Sequence, residues 1–291
     1  MTSRIAVKKL RISARSRRCL TVFAALSLFF LVYACGPAPP QKGTPAFYWS
    51  GAKETYAGGD YARTIDHLDN LLNSDNDYTA RAYPWALLVT SGLASGYMDL
   101  ADKYEAGAKT FKKGAAPTDF FRRISNYRSF ANRMTLHFAD TFARFAKTKD
   151  DPVTVAFTFP PGSGAPVPQL ATVAQGGLLP VATADEAEKR ALQRSILLAI
   201  VRAVGAPDDP PKGEQILKTS EGKVPRATFL LAMARTLYEE AQLYDRRKVN
   251  DSDKRMILCQ RAQDVLKSLP ESADTKALDL KIRIVLTAPR A

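Results

Sequence analysis

Two histidines, His67 and His137, and three cysteines, Cys19, Cys35 and Cys259, are all that the chain offers of the side chains most used for metal and nucleophilic chemistry. Neither histidine has a second histidine or a cysteine nearby, so metal binding with familiar ligand spacing is not expected. Ser-His catalysis has equally little to work with. The sequence contains no glycine-rich phosphate loop, paired-cysteine motif, His-Glu-x-x-His pattern or Gly-x-Ser-x-Gly elbow. Carboxylates such as Asp99, Asp102 and Glu105 are plentiful, but acids on helix surfaces are normally solvated, and a carboxylate hydrolase needs two acids that meet only in the fold. The expectation is a non-enzyme with no catalytic residue, no cofactor and no metal.

A disulfide framework is excluded as well. Cys19 falls in an apolar run and Cys35 at its end, which leaves Cys259 as the one thiol of the folded part. Set among Met256, Leu258 and Ala262 in a helical pattern, Cys259 reads as a small buried hydrophobe.

The charge is lopsided along the chain. Arg4, Lys8, Lys9, Arg11, Arg15, Arg17 and Arg18 give the first 18 residues seven cations and no acid, and an uncharged run of 16 residues follows from Cys19 to Ala34. As a helix that run would reach about 24 Å, short of a hydrocarbon core of roughly 30 Å. A basic segment before a short apolar one is the pattern of a signal peptide. Without the leader's seven, 35 of the 42 basic residues stand against 29 acidic ones, a net charge of +6 with no concentrated basic stripe, so no nucleic-acid partner is expected.

Leu31-Val32-Tyr33-Ala34-Cys35-Gly36 closes the apolar run and resembles the lipobox of bacterial lipoproteins, with Tyr33 bulkier than the small residue usual at its position. The resemblance implies cleavage after Ala34 and acylation of Cys35, including with palmitate, which would hold the protein on a membrane leaflet. One acyl chain binds marginally and more than one anchors stably. Gly36, rather than the aspartate that commonly signals inner-membrane retention in such lipoproteins, implies the outer membrane facing the periplasm. Residues 36–45, rich in proline, have nothing to bury and read as an extended tether.

Beyond the tether the pattern is helical. Phe47, Tyr48, Ala52, Thr55 and Tyr56 recur at helical spacing, Gly58-Gly59-Asp60 breaks the run, and Ile65, Leu68, Leu71 and Leu72 share one face of a second helix from Tyr61. Trp49, Tyr56, the Gly59-Asp60-Tyr61 turn, Ile65 and Leu68 together resemble a tetratricopeptide repeat (TPR) over about 46–72, although Thr64 stands where the repeat usually has alanine. A further helical pattern runs from Ala80 to Lys113 with Pro84 in its first turns; its small-residue surface around Gly92 and Gly96 reads as a site of close helix packing. The longest helix is expected to start at Pro117-Thr118-Asp119, burying Ile124, Tyr127, Ala131, Met134, Phe138, Phe142 and Phe145.

Composition changes over 148–183. Val153, Val155, Phe157 and Phe159 alternate with smaller residues as a short strand would, and the prolines and glycines from Pro160 to Pro180 forbid regular structure. This segment is expected to be a linker between helical halves, or to supply an extended arm from Val153 to Phe159 that packs on its own domain or pairs with a partner. Thr183 and Glu186 have capping-box spacing and would open a helix to about Val204, facing Leu192, Ile196, Ala199, Ile200 and Ala203 inward. A short helical piece lies around Glu214 to Thr219. Three more helices follow: Pro225 to about Arg246, burying Phe229, Leu230, Met233, Leu237 and Ala241; Asp251 or Ser252 to Leu269; and Ser272 to Leu286, using Ala277, Leu280, Ile284 and Val285.

The expected organisation is therefore a signal peptide (1–34), a tether (35–45), an N-terminal TPR-like region (46–147), a Pro/Gly-rich insertion with one short strand (148–183) and a C-terminal helical region (184–291). The expected fold is all-α, a TPR-like array of αα-hairpins forming an α-solenoid. Stacked hairpins bury their faces only against one another. The resemblance implies a membrane-anchored periplasmic scaffold that binds a protein or peptide, in an envelope assembly or transport complex. The alternative is a helical lipoprotein enclosing a small hydrophobic or anionic ligand between the Gly92–Gly96 surface and the aromatic stripe after Ile124, similar to the T-component lipoproteins of substrate-binding transporters.

Overall fold

The computed structural model describes residues 40–111, 117–155, 164–207 and 209–288. Among these it is an all-α protein with ten α-helices and a two-stranded ladder. The helices are α1 (Pro45–Gly58), α2 (Tyr61–Leu72), α3 (Thr79–Thr110), α4 (Thr118–Phe145), α5 (Pro168–Ala174), α6 (Val181–Ala203), α7 (Pro210–Thr219), α8 (Arg226–Ala241), α9 (Ser252–Leu266) and α10 (Ala273–Thr287). A 3-10 turn, Gln242–Tyr244, follows α8, and strand β1 (Val153–Thr154) pairs antiparallel with β2 (Lys223–Val224). The described residues from Gly43 onward form one compact unit, so the helical regions on either side of 148–183 share a core.

Local chemistry starts and stops the first hairpin. Thr44 caps α1 through the Phe47 amide, with Pro45 at the first helical position where a missing N–H costs nothing. Gly59 ends α1 at φ +76°, a left-handed conformation suited to glycine. Asp60 then caps α2 by accepting from the Arg63 amide. The two helices run antiparallel: Thr64 Oγ1 meets Thr55 Oγ1 at 3.0 Å, and Gly51 abuts His67 one turn further along. Thr64, where the repeat would carry alanine, is fully buried and satisfies its hydroxyl on Thr55 and on the Asp60 carbonyl.

The 32-residue α3 is the central helix and the longest of those described, where the sequence pointed to α4 with 28. At about 1.5 Å per residue it is long enough to meet α2, α4, α5, α6 and α8 along its length. Antiparallel α4 lies against it through Tyr97–Phe130 and Tyr83–Phe145 ring contacts. Pro84 is the sixth residue of α3, within its first two turns, and is buried. The inward face read for α4 is confirmed at Ile124, Tyr127, Ala131, Phe138, Phe142 and Phe145, with Met134 only partly buried.

Four boundaries or faces differ from the reading of the sequence. The segment expected to be irregular between Pro160 and Pro180 holds α5, opened by Pro168 and seated by buried Leu170 and Val173. Helix α6 begins at Val181 rather than at a Thr183 cap, because extended Pro180 supplies the first acceptor to the Ala184 amide. Helix α8 stops at Ala241, not Arg246, and tightens into the 3-10 turn. In α10, Leu280 and Ile284 are 63% and 62% exposed and Ala277 is also exposed, whereas Leu278 and Ile282 face inward. The strand read from Val153 pairs within its own unit: Val153 sits opposite Val224, and the Val155 amide donates to Gly222. Residues 156–159 of that expected strand lie outside the described residues.

Candidate functional site

Cys35 and Ala34 lie outside the described residues, so the site considered is on the folded part. Gly92 and Gly96 bring α3 and α6 together: a Cβ on Gly92 would fall 2.5 Å from the Ile196 Cα, and one on Gly96 would fall 2.9 Å from Leu192 Cδ2. The small-residue surface is thus occupied by helix packing. The aromatic stripe after Ile124 is likewise in the core.

The acids singled out on α3 are all held by cations. Asp99 takes Lys103 at 2.5 Å, Asp102 takes Lys248 at 2.7 Å, and Glu105 takes Lys109 and Arg128 at 2.7 and 2.6 Å. Two of these pairs tie α3 to other elements, which sequence spacing did not reveal. His137 Nε2 lies 2.9 Å from Asp69 Oδ2 and bridges α4 to α2, while His67 packs against the rings of Phe47 and Tyr48. Cys259 is free and fully buried, and burial pushes its thiol up to about 11, so it carries little thiolate at neutral pH. Among the described residues no group of three or more His, Cys, Asp and Glu side chains gathers as a metal site would need.

Two acids of α6 do converge. Asp185 and Glu188 both reach Arg123 of α4, and the buried Glu188 also accepts a 2.5 Å hydrogen bond from the Tyr104 hydroxyl of α3. Arg123 further donates to the Tyr127 hydroxyl at 3.2 Å and lies over the Tyr104 ring. Burial, then Glu188, push both phenols upward, so they remain hydrogen-bond donors at any ordinary pH. With the Glu188 carboxylate engaged by a phenol and a guanidinium, the cluster ties three helices together.

A surface groove of about 500 Å³ lies where α6, α8 and the start of α10 meet. Thr228, Leu231, Ala232, Arg235 and Glu239 of α8 line it at helical spacing, on the face opposite the buried Phe229, Met233 and Leu237. Arg202 of α6 pairs with Glu239 at 3.0 Å, and Arg235 pairs with Asp274 of α10 at 3.6 Å. The result is an apolar floor at Leu231 and Ala232 between two ion pairs that join α6 to α8 and α8 to α10. Helical spacing in the sequence marks the core face of α8 but gives this row no role. Its signal was present as Arg235 and Glu239 four residues apart, on the face that also carries Leu231, which packs on the edge of the core and lines the groove.

No family model matches this chain, and the curated proteins and solved structures searched contain no match to it either.

Proposed function

We propose that the chain is a lipoprotein, cleaved after Ala34 and tethered through acylated Cys35 to the outer membrane, whose TPR-like hairpins act as a protein-binding scaffold in the periplasm. The α1–α2 hairpin with its Gly59-Asp60-Tyr61 turn and the α9–α10 hairpin support the repeat-like reading. The observation that carries a binding role is the groove over Leu231. Its charges, half-buried Arg202 and Arg235 with exposed Glu239 and Asp274, alternate in sign around an apolar floor, an arrangement suited to an extended segment of a partner with charges of both signs. No enzymatic activity is part of the proposal, and nucleic acid is not the partner.

The test is site-specific photocrosslinking in cells. A crosslinker at Leu231 should capture a defined protein, a control at exposed Lys53 of α1 should not, and Arg235→Glu should abolish the Leu231 adduct. Equal products from both positions, or none from Leu231, would reject the groove as the binding surface. The small-ligand alternative calls on a cavity between the Gly92–Gly96 surface, where α6 packs, and the aromatic stripe after Ile124, so the groove gives the scaffold reading more support.

A further inference from the structure

Glu240 of α8 is 1% exposed, and neither of its carboxyl oxygens has a hydrogen-bond partner. Across the α4–α8 seam stands the Thr135 hydroxyl, itself fully buried and equally without a partner. One turn further along the seam, the Tyr244 hydroxyl donates to Asn132 Oδ1 at 2.7 Å. A carboxylate so placed needs a cation, yet neither oxygen meets one: Arg133 of α4 lies over the Phe130 ring, and other cations of the surrounding elements hold other groups. Arg202 of α6 holds Glu239, and Arg235 of α8 holds Asp274. On α9, Arg255 holds Asp245 and Gln242, Lys254 holds Asp251, and Arg261 reaches Asp140 of α4. Arg128 of α4 and Lys248 hold Glu105 and Asp102 of α3. The other titratable groups bearing on Glu240 are the Glu239 carboxylate and the Tyr244 phenol, and neither favours a negative charge there.

We propose that Glu240 is a pH-sensitive latch: its neutral carboxylic acid lets α8 close onto α4 beside Thr135, and its ionisation loosens α8–α10 from α4. The physical cause is desolvation, since an ionised carboxyl without a partner is far costlier to bury than a neutral one. The acid is accordingly held well above the ordinary carboxyl range by burial above all, with the nearby Thr135 hydroxyl opposing that push and Glu239 adding a smaller upward one. The sign follows from proton linkage. Between the unfolded and folded pKa values the folded chain keeps one proton that the unfolded chain has lost, so stability falls as pH rises through that window and levels off above it. One retained proton makes the unfolding constant grow by up to about tenfold per pH unit. The groove residues Arg235 and Glu239 ride on the same helix, but the latch does not depend on what the groove binds.

The experiment compares the full chain with Glu240→Gln in urea unfolding from pH 5 to pH 9, together with amide hydrogen exchange corrected for intrinsic rates. The unmodified chain should lose resistance steadily relative to Glu240→Gln as pH rises, with faster exchange confined to α8–α10 and α1–α3 unchanged. The His137–Asp69 pair is common to both proteins and cancels in the difference. Parallel pH profiles, or exchange that rises uniformly, would overturn the proposal. Should Glu240→Gln fail to fold, infrared titration of the unmodified chain decides: a protonated carboxyl present at pH 7 and lost on raising the pH supports the latch, and its absence at pH 7 rejects it.

Discussion

Arg226 donates from its guanidinium to the carbonyls of Phe145, Ala146, Thr148 and Asp150 and to the Thr148 hydroxyl, at 2.7 to 3.2 Å, while lying over the Phe145 ring at 4.9 Å. One planar fork thereby satisfies the open carbonyl end of α4 and anchors the chain leading into β1, a task that lysine with its single ammonium cannot repeat. Arg226→Ala is expected to cost about 2–3 kcal/mol, with Arg226→Lys recovering little of it; urea midpoints check both. His137 makes a smaller, pH-dependent contribution. Its hydrogen bond to Asp69 raises its pKa above the ordinary histidine value despite opposing burial. That contribution is complete below pH ~6.5 and disappears as pH rises through the folded value. His137→Gln should therefore be less stable than the parent at pH 6, by less than about 1 kcal/mol because the pair is partly exposed, and the gap should close by pH 9.

At the scale of elements, the packing of α3 on α6 ranks two glycines that look alike in sequence. An alanine methyl at Gly92 meets backbone, the Ile196 Cα, and forces the helices apart, whereas at Gly96 it meets Leu192 Cδ2, which can turn away, and the Ser195 Cβ at 3.0 Å, which must give by only a few tenths of an ångström. Gly92→Ala is expected to cost about 1–3 kcal/mol. At Gly96 a gain in helix propensity of up to ~1 kcal/mol offsets the crowding, leaving a change near zero by the same urea measurement. Helix α10 supplies a second comparison. Ile282→Ala should cost about 2–5 kcal/mol, while Leu280→Ala, on the exposed face, should stay within about 0.5 kcal/mol. The run Ala277-Leu278-Asp279-Leu280-Lys281-Ile282-Arg283-Ile284 carries apolar residues on both sides of a helix, so periodicity selects no face. Contact with α8 and α9 selects Leu278 and Ile282.

For the whole molecule, the described residues include no helix long and apolar enough to cross a membrane, and the proposed function places membrane attachment at Cys35. Cys35→Ala should abolish palmitate labelling and release the protein from the membrane fraction; a variant that stays bound and uncleaved would make the apolar run 19–34 the anchor. The all-α class, the α1–α2 hairpin and most of the buried face of α4 were legible from residue order, because capping, turn chemistry and amphipathic spacing act over a few residues. So was the burial of Cys259, whose neighbours in sequence already place it on an apolar face. Other features required residues far apart in the chain to meet: α6 filling the Gly92–Gly96 surface, Arg226 closing α4 from 80 positions away, and Glu240 set opposite Thr135 without a cation. Sequence spacing fixes which residues share a helix face, but burial and pairing depend on which other helix covers that face. Only the tertiary structure decided that, and with it where the groove lies and which carboxyl is stranded in the core.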